Sequence, residues 1–248
     1  MNVLVCISRV PDTAARINVA SDGKSLENNG VKFIVNPYDE FAIEEGIRIK
    51  ENQGATVTAL TVGSADNKDV LRTALAMGVD NAVLINSNQH TDSFSIANDI
   101  ADYAKELNPD IILMGKESID YDSYQMASLV GALLDKPSIS VVSKLDIDGS
   151  NITAERDIEG GKEILETTTP CIISVQKGIN EPRYPKLPQI MKAKKKPIDE
   201  RNSNASSSNI EIMSMEIPSS SRVGMIVGDS DADIDSIVKA LHEDAKVI

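Results

Sequence analysis

Four short apolar runs, each set off from the next by a helix signal, constrain this chain more than any other feature. Val3–Ile7, Val57–Val62, Ala82–Ile85 and Ile111–Met114 are compact and rich in β-branched residues, the pattern of strands buried on both faces. Asn36-Pro37-Tyr38-Asp39-Glu40 reads as an N-cap, a proline at the first helical position and acids in the first turn. That helix is predicted to run to about Asn52, with Gly54 placed to end it. Asp66 is expected to cap a second helix through Met77, with Gly78 just past its end. Asp92 opens a third, in which Ile96, Ala97, Ile100, Ala101, Ala104 and Leu107 recur at helical spacing before Pro109. A fourth covers roughly Tyr124–Leu134. Strands separated by helices of this length imply an α/β fold with a doubly wound, mainly parallel sheet.

From Ser138 the texture changes. Ile139–Val142, Lys144–Ile147, Ile152–Ile158, Glu163–Thr167 and Cys171–Val175 read as strands, with turns at Asp148-Gly149-Ser150 and Gly160-Gly161. They are expected to form an antiparallel addition to the sheet. The organisation read from the chain is therefore an α/β domain over 1–182, a basic loop and helix over 183–200, a Ser/Asn-rich linker over 201–209, and a C-terminal arm over 210–248. In the arm, Val223–Val227 reads as a strand and Asp231–Glu243 as a short helix, free to pack on another chain.

Charge divides the chain in the same place. Between Arg183 and Arg201 seven basic residues meet two acidic ones, a local +5, while the remainder (18 basic, 36 acidic) carries −18. So acidic a background argues against a nucleic-acid binder, whose phosphate contacts need a basic surface. With no Trp, 5 Tyr and 3 Phe, the chain offers few platforms for stacking bases or flavins. No apolar run reaches the ~20 residues that span a bilayer. Met1–Ser8 lacks a positive leader and a small-residue cleavage site, and reads as a first strand and not a signal peptide. The expected location is the cytoplasm, where the sequon Asn151-Ile152-Thr153 carries no meaning. Cys6 and Cys171 both sit in strand-like runs and read as buried free thiols, a disulfide being the alternative.

Several chemistries lack their residues. There is no Gly-x-Gly-x-x-Gly after a strand, and Gly115-Lys116 has neither the preceding glycine nor the following hydroxyl of a phosphate-binding loop. His90 and His242, the two histidines, have no Cys or His partner at metal spacing. No Gly-x-Ser-x-Gly elbow or Cys–His pair is visible. Glu44 and Glu45 are expected on a solvated helix face.

Two constellations remain. Ligands on open α/β sheets bind at the carboxyl ends of strands. Cys6–Arg9, Val62–Ser64 and Gly115–Asp122 fall there, with the helix start at Asn36–Asp39 adding N–H groups. They can form an adenine-nucleotide pocket, or be ordinary loop chemistry. The second is Asn180–Lys196. Three prolines bound a loop presenting Leu187, and a helical turn over Gln189–Lys195 follows. An apolar residue raised on a basic rim has the anatomy of a docking anchor. The competing reading is a basic solvated helix with Leu187 tucked into its own core.

At these segments the chain resembles the β subunit of electron transfer flavoprotein. The likeness covers essentially the whole chain. It is carried by Tyr184–Lys196 with its Leu-Pro-x-Ile-Met-Lys-Ala-Lys-Lys-Lys run, Val3-Leu4-Val5 with Arg9-Val10, Asn36–Glu40, Arg72–Gly78, Gly115-Lys116-x-x-Ile119-Asp120 and Glu155–Ile158 with Gly160-Gly161. The resemblance implies an adenine-nucleotide-hydrolase-like sheet and a heterodimer whose α subunit holds most of an FAD on a mobile domain. It implies electron uptake from acyl-CoA and related dehydrogenases, as in fatty acid β-oxidation, and delivery to a membrane quinone oxidoreductase. The β subunit does no bond chemistry, binds no nucleic acid and does not itself enter the membrane. The resemblance also assigns residues. Leu187 becomes the docking anchor, within a recognition segment that includes Tyr184, Pro188, Ile190, Met191, Lys192, Lys194, Lys195 and Lys196. AMP falls to Cys6, Asn36, Pro37, Tyr38, Asp39, Val62, Gly115, Lys116, Ile119, Asp120, Asp122 and Gln125, and the isoalloxazine edge to Tyr38 and Thr13. Two departures stand out. Thr13 occupies a position that is often aromatic in the family. Where AMP-binding members continue into Asn-Gln-Thr, this chain has Tyr124-Gln125-Met126, so Tyr121 and Tyr124 either fill the pocket or stack on an adenine. The other readings are a flavin-bifurcating member with a second FAD, and a stand-alone adenine-nucleotide module of the stress-protein type.

Overall fold

The computed structural model describes residues 1–87, 92–204, 208–218, 224 and 226–248. A central sheet of nine strands carries the fold. In chain order its strands are β1 (Asn2–Cys6), β4 (Thr56–Gly63), β5 (Asn81–Asn86), β6 (Ile111–Gly115), β7 (Ser138–Asp148), β8 (Asn151–Ile158), β9 (Gly161–Thr168), β10 (Cys171–Val175) and β11 (Asp199–Asn202). The short strands β2 (Arg9–Pro11) and β3 (Phe33–Val35) pair apart from it. Spatial order is β11-β5-β4-β1-β6-β10-β7-β8-β9. The chain winds outward from β1 through β4 to β5, then crosses to β6 on the other side of β1. That reversal is where open α/β sheets bind ligands.

The apolar runs form the central strands because both of their faces are covered. On β1, Val3 and Val5 pack under α1 (Pro37–Gln53) and α2 (Lys68–Met77), while Leu4 and Cys6 pack under α3 (Ser93–Leu107) and α4 (Met126–Leu134). All four of these residues are buried. The third helix is capped as expected, with Ser95 N–H donating to the Asp92 carboxylate at 2.7 Å. The second is not. Ser64 accepts from the Asp66 N–H and opens a 3-10 turn over Ala65–Asn67, which runs into α2. Cys6 and Cys171 belong to cores on opposite faces of the sheet, so both are free and no disulfide joins them.

The second half departs from expectation in three places. Cys171–Val175 is not part of an antiparallel addition. As β10 it slots between β6 and β7, parallel to both, and closes the core under α1. β7 is one strand where two short runs were expected. A register shift between Val142 and Lys144, beside Val141 at φ 64, lets its first half pair with β10 and its second with β8. The antiparallel addition is therefore the outer half of β7 with β8 and β9. Third, the expected linker begins as structure. Arg201 and Asn202 complete β11, whose Asp199↔Val83 to Asn202↔Asn86 register satisfies the outer edge of β5. Ser203 and Asn204 continue as donors to Asp99; residues 205–207 lie outside the described residues.

Beyond residue 208 the chain forms no strand among the described residues. Val223 and Met225 lie outside them, and Gly224, Ile226 and Val227 carry no pairing. The tail helix α6 (Asp231–Lys239) is capped by Ser230, ends in a π-type turn over Ala240–Asp244, and buries no residue. No helix among the described residues is long and apolar enough to cross a membrane.

Candidate functional site

The carboxyl ends of β1, β4 and β6 open into a cavity of about 620 Å³. Leu60, Ile96, Ile100 and Met114 give it an apolar wall, and the loop from Gly115 to Met126 forms one flank. Asp39 anchors the construction. One of its carboxylate oxygens accepts from Ser8 N–H at 2.7 Å, the other from Gly115 N–H at 2.9 Å. The ends of two strands are thus tied to the first turn of α1. Gly115 is required by that closeness. A Cβ there would lie 2.5 Å from Asp39 Oδ1 and 2.8 Å from the Tyr38 carbonyl carbon. Burial, with a small contribution from the Asp120 charge, outweighs the two N–H bonds and pushes the Asp39 carboxyl up to about 7. Asn36, expected as an N-cap, makes no capping bond with its side chain. It donates instead to the Glu117 carbonyl at 2.7 Å and accepts from Ile119 N–H at 3.3 Å, pinning the flanking loop.

Lys116 sits between two rings. Its ammonium lies 4.6 Å from the Tyr38 ring centroid and 4.9 Å from that of Tyr124, and donates to the Tyr124 hydroxyl at 2.9 Å. Glu117 accepts from it at 3.0 Å. Burial alone would raise the Glu117 carboxyl, but hydrogen bonds involving Asp122 and Lys116 hold it below its ordinary value. Asp122 and Tyr124 both sit at positive φ (51° and 54°), where ordinary side chains are strained. Tyr121 and Tyr124 stand on the wall 68% and 43% exposed, and leave the cavity open.

The mouth is crossed by the segment after residue 207. Ser208, Ile210, Glu211 and Ile212 line it, together with Asp22 and Lys24. Asp92, already capping α3, also accepts from Asn209 N–H at 2.7 Å. Lys24 pairs with Glu211 at 3.2 Å, and Met215 N–H donates to Gly23 at 2.8 Å. The end of the expected linker and the start of the expected C-terminal arm therefore cross the mouth of the site.

The basic segment lies elsewhere and is built outward. Leu187 is 71% exposed, which excludes a place in its own core; Tyr184 is 94% and Met191 53% exposed. Leu187 opens a two-turn helix, α5 (Leu187–Ala193), where Gln189 Oε1 accepts from Lys186 N–H at 2.8 Å. Ala193 is buried and Ile190 packs against the core, so one side of the helix is seated. Arg183 fixes the start of the segment by donating to Glu44 at 2.8 Å and Glu51 at 2.6 Å. This corrects the expectation for Glu44 and Glu45. Both are buried, Glu44 under Arg183 and Arg48, Glu45 accepting from Asn180 at 2.9 Å. At the far end Lys196 is turned inward to the Val79 carbonyl at 3.0 Å. Lys186, Lys192, Lys194 and Lys195 are exposed and, among the described residues, make no ion pair.

Of the residues expected around a nucleotide, Cys6, Asp39, Val62, Gly115, Lys116, Asp120 and Gln125 line the cavity. Asn36, Pro37, Tyr38, Ile119 and Asp122 support that shell from behind, and Thr13 is exposed in the segment after β2. Arg9 and Glu117, already within the strand-end segments Cys6–Arg9 and Gly115–Asp122, also line the cavity, whereas the 208–212 crossing was not foreseen. Strand-end position was the signal for Arg9 and Glu117, whereas nothing in the end of the Ser/Asn-rich stretch or the start of the arm marks a cover. His242 is a surface residue bonded to the Ile248 carbonyl, and His90 lies outside the described residues. No group of three metal-ligating side chains occurs among the described residues.

The fold and site define an α/β protein with a strand-end cavity and a separate, clamped basic segment that raises an exposed leucine. A family model described as "Electron transfer flavoprotein domain" matches residues 24–206. The chain is 48% identical over 203 residues to the electron transfer flavoprotein subunit beta of Bacillus subtilis, covering 81% of this chain and 78% of that one. It is 34% identical to the subunit beta of Bradyrhizobium diazoefficiens over the full length of both, and 37% identical to the mitochondrial subunit beta of Arabidopsis thaliana over 98% and 99%. This chain belongs to the electron transfer flavoprotein family, among its beta subunits.

Proposed function

We propose that this chain is the docking half of a heterodimeric electron carrier in the cytoplasm. Its α partner holds most of an FAD, acyl-CoA-type dehydrogenases supply the electrons, and a quinone oxidoreductase receives them. The observation that carries the reading is Leu187, raised 71% exposed on a backbone clamped at both ends and flanked by lysines that make no ion pair among the described residues. A fixed anchor of this kind holds a donor while leaving a redox domain on the partner free to reorient. The chain performs no bond-making step of its own. The tail supports a partner subunit as well, since Ile234, Ile237, Val238 and Leu241 of the α6 region are all exposed, an apolar stripe a lone chain has no reason to display.

The cavity residues fit an AMP. Leu60, Ile96, Ile100 and Met114 offer an apolar slot for an adenine. The N-terminus of α4, preceded by Gln125 and bearing no side-chain cap, offers N–H groups to a phosphate. When bound, the nucleotide adds structural filling and a fixed negative charge; Asp39, Asn36 and Gly115 hold the walls around it. Tyr38 and Thr13 are the side chains this chain would bring toward the flavin edge.

Co-expression with the α subunit, followed by denaturation and identification of the released nucleotides, tests the reading. One FAD and one AMP per yellow heterodimer is expected. Two FAD would make the chain a bifurcating member. A colourless homodimer that binds ATP would make it a nucleotide module of the stress-protein type.

A further inference from the structure

The docking helix is too short to hold its own position. Its seven residues leave the last carbonyls without intrahelical partners, and helices of this length are marginal in water. The turn after α5 closes with Lys196 N–H donating to the Ala193 carbonyl at 3.2 Å, and a side chain from a different element reinforces that turn. Arg72, on α2, donates from one guanidinium nitrogen to the Ala193 carbonyl at 2.6 Å and also to that of Lys196. The exchange is reciprocal. Lys196 Nζ reaches back to the carbonyls of Val79 and Asp80, just past the end of α2, at 3.0 and 3.4 Å. Each element thus supplies a cation to backbone carbonyls at or just beyond the end of the other, the favourable arrangement near a helix C-terminus.

We propose that Arg72 is a positioning residue for docking. With Lys196 it forms a clasp that fixes the direction in which α5 presents Leu187 and Met191. The proposal rests on the docking reading above. It also reassigns Lys196, which serves the clasp and not the basic rim. Arg72 contacts no docking partner. Its effect is to remove the conformational freedom that binding would otherwise have to freeze out, the way preorganisation raises affinity.

The test uses the flavin-loaded heterodimer as the varied substrate of an acyl-CoA dehydrogenase that reduces it, with Leu187→Ala as reference. Arg72→Met and Lys196→Met are expected to raise KM about tenfold while kcat stays within about twofold. The flavin spectrum and the thermal midpoint should be unchanged. Arg72→Lys, which keeps the charge and a nitrogen donor on a stem without the planar guanidinium, should recover part of the loss. A normal KM in Arg72→Met beside a raised KM in Leu187→Ala overturns the clasp and leaves the docking reading standing. A fall in thermal midpoint and kcat at constant KM also overturns it, reducing Arg72 to a stability role. Wild-type KM in Leu187→Ala overturns the docking reading itself, and the proposal with it.

Discussion

The cavity and the docking segment use the same kinds of residue in opposite ways. Around the cavity every cation is spent internally: Arg9 on Asp69, Lys24 on Glu211, Lys116 on Glu117 and two tyrosine rings. Apolar residues there face inward, as Leu60 does at 1% exposure. In the docking segment Leu187 faces outward, and four lysines stand unpaired among the described residues. The +5 of the sequence is thus not the charge that is displayed. Arg183 is consumed by Glu44 and Glu51, Lys196 by carbonyls, and Arg201 by Glu106 and Asp199. Part of the basic stretch is internal fastening, and the fastening is what lets the remainder project.

If that contrast is right, the two regions should break differently. Leu187→Ala should leave the thermal midpoint untouched, because the side chain contributes little to the chain's own core. Electron uptake from a dehydrogenase should fall on the order of 100-fold, the loss expected of a hot-spot residue at about 3 kcal/mol. Steady-state reduction of the heterodimer measures this, and an unchanged rate would remove the docking side of the comparison.

The converse substitution lies on the cavity side. Gly115→Ala puts a methyl group 2.5 Å from Asp39 Oδ1 and 2.8 Å from the Tyr38 backbone, so α1 must shift or the strand ends must part. A destabilisation of about 2–3 kcal/mol is expected, as for other overpacked sites, together with loss of bound nucleotide. Docking should survive in whatever fraction stays folded. Urea unfolding, with analysis of retained nucleotide, reads both. A variant as stable and as loaded as the parent would show that the α1 contact is not as tight as the geometry requires.

The sequence disclosed the two regions unequally. Strand and helix order were legible because burial on both faces leaves an unmistakable apolar run and because Asp92 and Gly54 mark helix ends. The exposure of Leu187 was one of the two readings the sequence left open, and the structure decides it because prolines and lysines leave an apolar residue there little cover. What failed depended on distance along the chain. β10 was misassigned because five apolar residues read alike whether their neighbours run parallel or antiparallel. Glu44 was misassigned because its partner, Arg183, lies 139 residues away. The cover at 208–212 left no trace, since its anchors are a backbone N–H and side chains whose partners, Asp92 and Lys24, lie 116 residues or more away.

Asp39 offers the finest test, because it asks whether the inward region is held by a group that titrates near neutrality. The sign follows from the shift. Its folded-state value of about 7 lies above the ~3.9 of an unfolded aspartate. The folded chain therefore holds this proton more tightly. The stability it contributes is fully present below about pH 4 and is lost as pH rises through 7. Replacing it by asparagine removes the titration and one of the two acceptors, since an amide can accept on one side only. The stability difference between the parent and Asp39→Asn, read from urea midpoints, should narrow by about 2 kcal/mol between pH 5 and pH 7. Glu44 does not confound this comparison. Its carboxyl is held low by Arg183 against the pull of burial, so it loses stability only at acid pH, and it does so equally in both proteins. A difference that stays constant across that window would mean Asp39 remains ionised in the folded chain. The knot joining β1, β6 and α1 would then be a buried carboxylate held by two N–H donors alone, and the cavity, like the docking segment, would owe its shape to a permanent charge.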